Sequence, residues 1–168
     1  MAFPQTAVAS AITGAFAGQS GDSSNKQDDS FINGESSAEI PFGVVVKQGT
    51  ADNECLKLTS TSDVLIGVTL HSNAYAPTTE LGTTGVKINV PMNVRSQGRV
   101  WVTVEEAVTP ASNVLVRAVA TGDEVAGAFR DTADGSDCID ISGFARYLTS
   151  AGIAGLALVE FDFRVRSA

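Results

Sequence analysis

Residues 98–117 read GRVWVTVEEAVTPASNVLVR, and the chain's character turns on whether this is a pair of strands or the edge of a catalytic site. Side chains of an extended strand point alternately to opposite faces. Val100, Val102 and Val104 therefore share one face, while Arg99, Trp101, Thr103 and Glu105 share the other. The valine face predicts a core surface, and the opposite, amphipathic face is one that another chain could cover. Thr109 and Pro110 interrupt the run before Val114 to Val119 resumes it, so the stretch reads as two strands joined by a proline-bearing turn.

The adjacent Glu105 and Glu106 invite a different reading, as a general acid and base. Such a pair needs environments that push the two pKa values apart, and in glycosidases the two carboxyls flank the scissile bond from opposite sides. Neighbours on an extended strand point away from each other and cannot do this. They are read as solvated charges at a strand's end.

Short β-branched or apolar runs recur on both sides of this stretch: Ile40 to Lys47, Cys55 to Thr59, Val64 to Leu70, Gly85 to Val90, Ile139 to Ala145 and Ala154 to Val165. Turn signals such as Gln48-Gly49, Thr121-Gly122-Asp123 and Asp134-Gly135 separate them. The closing run divides cleanly, with Ala157, Val159, Phe161, Phe163 and Val165 on an apolar side and Leu156, Leu158, Glu160, Asp162 and Arg164 on the other. A helix finds a place only over Ala7 to Ala17, where glycine weakens it by about 1 kcal/mol relative to alanine. The fold class is all-β, a compact β-barrel or sandwich. Residues 1–37 are small and polar without a sustained period and are read as an extended N-terminal arm; residues 38–168 form the barrel or sandwich domain.

Composition narrows the function. The chain of 168 residues suits one domain with an arm. Nineteen acidic against 11 basic side chains give a net charge of -8, which repels phosphate backbones and anionic lipid surfaces, so neither nucleic acid nor membrane is an expected partner. No apolar run reaches the ~18 residues of a membrane-spanning helix. Ala15-Phe16-Ala17 mimics a signal-peptidase site, but the basic region that should precede it is missing.

No residue is assigned to catalysis, cofactor binding or a metal. Cys55 and Cys138, far apart and with no C-x-x-C spacing, read as reduced, packed thiols. His71, the sole histidine, has no nucleophile elbow beside it and reads as an exposed loop residue after the strand ending at Leu70. Asp131, Asp134, Asp137 and Asp140 lie three apart, which departs from the two-residue ligand spacing of a calcium loop, and read as a solvated acidic turn with a weak calcium site as the alternative.

The order of these elements carries a resemblance. IPFGVVVKQG, then SDVLIGVTLHSNAY, then INVPMNVRSQGRVWVTVEEAVTPASNVLVR, and finally ISGFARYLTSAGIAGLALVEFDFRV resemble the structural cement, or head decoration, proteins of tailed bacteriophages over most of residues 40–165. The arm carries no motif that matches. The resemblance implies a non-enzymatic virion protein that binds the exterior of the assembled capsid, with the major capsid protein as partner, usually as a homotrimer, and that resides in the host cytoplasm during assembly. Within it, Ala2 to Ala17 is the expected anchoring arm, with Ala2, Phe3, Pro4 and Phe16 as its apolar contacts. Arg99, Trp101, Phe144 and Tyr147 are interface candidates because aromatic and arginine anchors concentrate at interface centres. Packing within the domain is the alternative for each. A carbohydrate- or receptor-binding module remains the other reading, if Trp101, Tyr75 and Tyr147 cluster on an exposed face.

Overall fold

The computed structural model describes residues 15–22, 25–72, 74–76 and 79–164, and these residues form strands and turns with no helix among them. Ten strands follow in chain order: β1 (Gln27–Asn33), β2 (Val45–Gln48), β3 (Glu54–Lys57), β4 (Leu65–Thr69), β5 (Pro91–Thr103), β6 (Leu115–Arg117), β7 (Phe129–Arg130), β8 (Cys138–Asp140), β9 (Ala145–Tyr147) and β10 (Leu156–Asp162).

β5 is the spine. Its first half pairs with β1 on one edge and β4 on the other, and its second half pairs with β10 from Gln97 to Thr103. Because β1 also pairs in parallel with β3, the order β1-β3-β2-β4-β5 returns to β1 and closes a five-stranded barrel. Closure removes the unpaired edges that an open sheet would expose. β10 and β9 extend the sheet beyond the barrel, and β7-β6-β8 form a separate three-stranded sheet.

Two apolar cores result. Val46, Cys55, Met92 and Val94, with Ile40 and Val86, form the smaller core. The larger one joins Val45 and Val68 to Val100, Val102, Val104, Val116, Phe129, Tyr147 and Val159. The valine face expected of residues 100–104 is completely buried, each of the three at 0% exposure. β10 alternates as expected, with Ala157, Val159 and Phe161 inward.

Several expectations change. β1 lies inside the span read as an arm; its sequence QDDSFIN is polar because its first four residues are exposed, and cross-strand pairing with β5 rather than apolar alternation defines it. Gly85 to Val90 is not a strand: Val86 makes isolated bridges to Ile40 and Leu81, and the chain then turns through Asn89 at φ 60°. Ile139 to Ala145 is broken by a turn, in which Ser142 N donates to Asp140 Oδ1 and Phe144 N to the Ile141 carbonyl. The Ala7 to Ala17 helix falls almost entirely outside the described residues.

Candidate functional site

The edge of β5 opposite β10 meets residues 18–21. Gly18 N donates to the Trp101 carbonyl at 2.8 Å, Trp101 N to the Gln19 carbonyl at 2.9 Å, and Gly21 N to the Arg99 carbonyl at 2.9 Å, so residues 18–21 run along β5 as an added strand segment. Gly18 sits at φ 82° in a turn closed by Gln19 N donating to the Phe16 carbonyl. A Cβ there would lie 2.8 Å from both His71 N and Phe42 Cβ, so glycine is required by conformation and by space.

Two arginines clamp this segment. Arg95, 1% exposed, donates from Nε and Nη2 to the Asp28 carboxylate at 2.6 and 2.9 Å, and from Nη1 to Ser20 Oγ and the Arg99 carbonyl at 2.8 Å each. Its planar fork matches the carboxylate, and its remaining donor reaches Ser20 and the Arg99 carbonyl. Arg99 bridges Asp22 at 2.6 Å and Glu160 at 2.9 Å, and Glu160 also accepts from Arg146. Partial burial works against the charged form of Glu160, but the Arg146 and Arg99 donors outweigh it and hold the carboxyl below its ordinary value.

The interface candidates separate. Arg99 and Trp101 stand together on the half-exposed outer face of β5 beside residues 18–21. Phe144 is half-buried against Phe163, with ring centroids 5.4 Å apart, and lines an open cleft of about 440 Å³ with Asn25, Gln97 and Arg146. Tyr147 is 1% exposed and packs in the larger core, and its hydroxyl donates to the Arg130 carbonyl at 3.0 Å. Three residues were too short a strand to reveal which side faces inward. With Tyr147 buried, the aromatic platform of a sugar-binding module is not assembled from Trp101, Tyr75 and Tyr147. Of the arm contacts, Ala2, Phe3 and Pro4 lie outside the described residues, while Phe16 is 44% exposed with its ring 4.6 Å from His71.

The charged residues that suggested chemistry hold loops together. Glu105 is not a solvated strand end: it receives two hydrogen bonds from the fully buried Arg117 and one from Arg130 Nη1. Glu106 accepts from Thr132 N, Thr132 Oγ1 and Asp131 N. Burial opposes its ionisation, yet these donors and Arg130 lower its pKa. Asp134 pairs with Arg117 at 3.1 Å, Asp131 accepts from Ser112 Oγ and Asn113 N, and Asp140 caps the Ser142 turn. These aspartates do not gather, and no group of three potential metal ligands exists among the described residues. His71 is half-buried rather than exposed, its ring held between Phe16 and Phe42. Cys55 is buried and Cys138 half-buried, both as free thiols.

A second surface feature has no counterpart in the sequence reading. A groove of about 470 Å³ opens where residues 41–44, 103–105, 123–125 and 154 converge, lined by Phe42, Val44, Thr103, Val125 and Ala154 with Asp123 among the polar residues. Ala154 is the one residue of the uncharged run LTSAGIAGL, residues 148–156, in its lining. Ile153 is 77% exposed.

Comparison with known proteins adds three findings. The family model described as structural cement protein (E217 gp24/Pam3 gp6) matches residues 3–162. A chain of the solved capsid of Myoviridae phage XM1 has the same fold, with a TM-score of 0.65 at 18% identity over 96% of this chain and 98% of that chain. No curated protein matches.

Proposed function

This chain belongs to the structural cement protein family of phages, and from that premise we propose that it binds the outer surface of the assembled capsid and fastens neighbouring capsomers to one another. Its role is a structural, non-enzymatic one in the virion. In this reading the major capsid protein is the partner, Ala2 to Ala17 is the anchoring arm, and three copies associate around a threefold position.

The observation that carries the reading is the anchorage of the arm's base. Arg95 and Arg99 tie Ser20, Asp22 and Asp28 to β5, and the backbone of residues 18–21 is paired with it. A segment launched from a fixed point loses less freedom on binding than one attached to a mobile base. Laid on a sheet edge of the capsid protein, such a segment gains main-chain hydrogen bonds without a preformed pocket. Three arms joined in one trimer multiply weak contacts when the geometry allows them to engage together.

The test is co-sedimentation of the purified protein with expanded capsid shells that lack it. The full chain is expected in the pellet, and a variant deleted from Ala2 to Ala17 in the supernatant with an unchanged circular dichroism spectrum. Equal occupancy by the deletion variant would remove the arm from the proposal; a full chain that stays in the supernatant would remove capsid binding itself.

A further inference from the structure

The groove between Phe42 and Val125 is a preformed apolar surface. Phe42, Val44, Val104, Val125 and Ala154 supply its walls. Five large apolar side chains are exposed among the described residues; one of them lines the groove, and two more lie next to residues that do, Ile153 along the chain and Phe16 by way of a ring contact. Val125, 39% exposed, is in the wall itself. Ile153, 77% exposed, directly precedes Ala154. Phe16, 44% exposed, connects to Phe42 through the intervening His71 ring. Isolated apolar residues on a surface need no explanation, but a contiguous group at a concave site marks an interaction surface.

The backbone holds this surface in place against its own preference. Ala154 occupies φ 57°, a left-handed conformation that costs a residue with a Cβ about 1–2 kcal/mol. The turn persists because Ala154 N donates to the Val104 carbonyl at 3.0 Å and Gly155 N to the Gly152 carbonyl at 2.9 Å. Ile153 is thereby presented at the tip of a fixed turn. Strain of this kind persists where the surroundings over-determine it and concentrates at binding sites.

Charge identifies the occupant's chemistry. Of the ionisable residues lining the groove, Glu105 and Glu124 pair with Arg117, so Asp123 carries the rim's negative charge; no Lys or Arg lines the wall, and the chain as a whole carries -8. A second copy would bring like charge to this rim. We infer that the groove receives an apolar segment flanked by Lys or Arg from the capsid-shell protein, a contact separate from the arm; the inference rests on the cement reading above. Apolar side chains would fill the space beside Phe42 and Val125, and the flanking cations would meet Asp123.

The experiment measures occupancy on expanded capsid shells at several salt concentrations. Val125→Glu and Ile153→Asp are each expected to lower affinity by about tenfold or more, the scale of losing one apolar anchor at an interface centre. Val64→Glu changes an exposed apolar residue outside the groove and is expected to bind as the wild type does. Asp123→Lys is expected to weaken binding and flatten its salt dependence. Wild-type binding by both Val125→Glu and Ile153→Asp, or tighter binding by Asp123→Lys, would overturn the inference. So would a change in the free protein's sedimentation mass on Val125→Glu, since it would show a second copy in the groove. Failure of the wild-type chain to bind any shell would instead overturn the cement reading, so the two failures are distinct.

Discussion

The guanidinium of Arg117 donates from Nε and Nη2 to the two carboxylate oxygens of Glu105, at 2.8 and 2.9 Å, with no part of the arginine exposed. Glu124 and Asp134 take its Nη1 at 2.7 and 3.1 Å. Removing one partner of a buried pair leaves an uncompensated charge, whereas replacing both by apolar groups does not. Because Glu124 and Asp134 still face Nη1, Glu105→Ala leaves the buried Nε and Nη2 donors unsatisfied, and is expected to lower stability by about 1–3 kcal/mol in urea unfolding. Glu105→Leu combined with Arg117→Met is expected to recover most of that loss. A double variant as unstable as Glu105→Ala would show that packing, not charge compensation, sets the cost.

Cys55 gives the stability a dependence on alkaline pH. Burial, reinforced by Glu35 and Glu54, pushes its thiol from the ordinary 9.0 up to about 12. A group whose folded pKa is raised stabilises the fold fully below the unfolded value and loses that contribution as pH rises toward the folded one. Stability is therefore expected to fall between pH 9 and 12, by up to about 1.4 kcal/mol per pH unit for this one proton. Tyr147, also raised chiefly by burial, joins in above pH 10. Cys55→Ala lowers stability at neutral pH by leaving a cavity, but it should flatten the slope from pH 9 to 10. An unchanged slope in that window would exclude Cys55 as its source.

These side chains show which parts of the structure sequence could reveal. Val100, Val102 and Val104 were legible because a strand with one buried face repeats every two residues, and the same rule resolved β10. β1 was not, because Asp28 is satisfied by Arg95, 67 residues away, and nothing local in QDDSFIN records that pairing. Glu105 looked like a solvated charge for the same reason: its partner Arg117 closes the quoted stretch, but a turn must fold before they meet. Trp101 and Arg99 could be assigned to an outer face by alternation, whereas Tyr147 on a three-residue strand could not. The groove was illegible because residues 41–44, 103–105, 123–125 and 154 converge on it from separate loops and strand ends.

Ala154 offers a direct check on backbone strain. With φ at 57°, Ala154→Gly removes a penalty of about 1–2 kcal/mol and adds back about 0.5–1 kcal/mol of unfolded-state entropy. The net expectation is a gain of roughly 0.5–1 kcal/mol, or about 1–4 °C in a thermal melt for a chain of this size. An unchanged or lower midpoint would mean that the turn is not strained in the folded protein.

Gly67 and Gly143 form the sharpest contrast, because both are glycines in or beside strands of the sheet and only one is confined. A Cβ on Gly67 would stand 2.2 Å from the Arg95 carbonyl oxygen, 2.7 Å from its carbon and 2.8 Å from Val94 Cγ1. These are backbone and core atoms on β5, to which β4 is paired at Val68↔Arg95 and Thr69↔Val94, so the clash can be relieved only by parting the two strands. That parting would open the barrel ring and disturb Arg95, which holds Asp28 of β1 and Ser20. Gly67→Ala is expected to cost about 2–3 kcal/mol, the upper range for overpacking. A Cβ on Gly143 meets nothing within 4 Å, so Gly143→Ala should stay within about 0.5 kcal/mol of the parent. Urea unfolding of the two variants side by side decides the matter. If Gly67→Ala proved as mild as Gly143→Ala, the close approach of β4 to β5 would not be a requirement of the barrel.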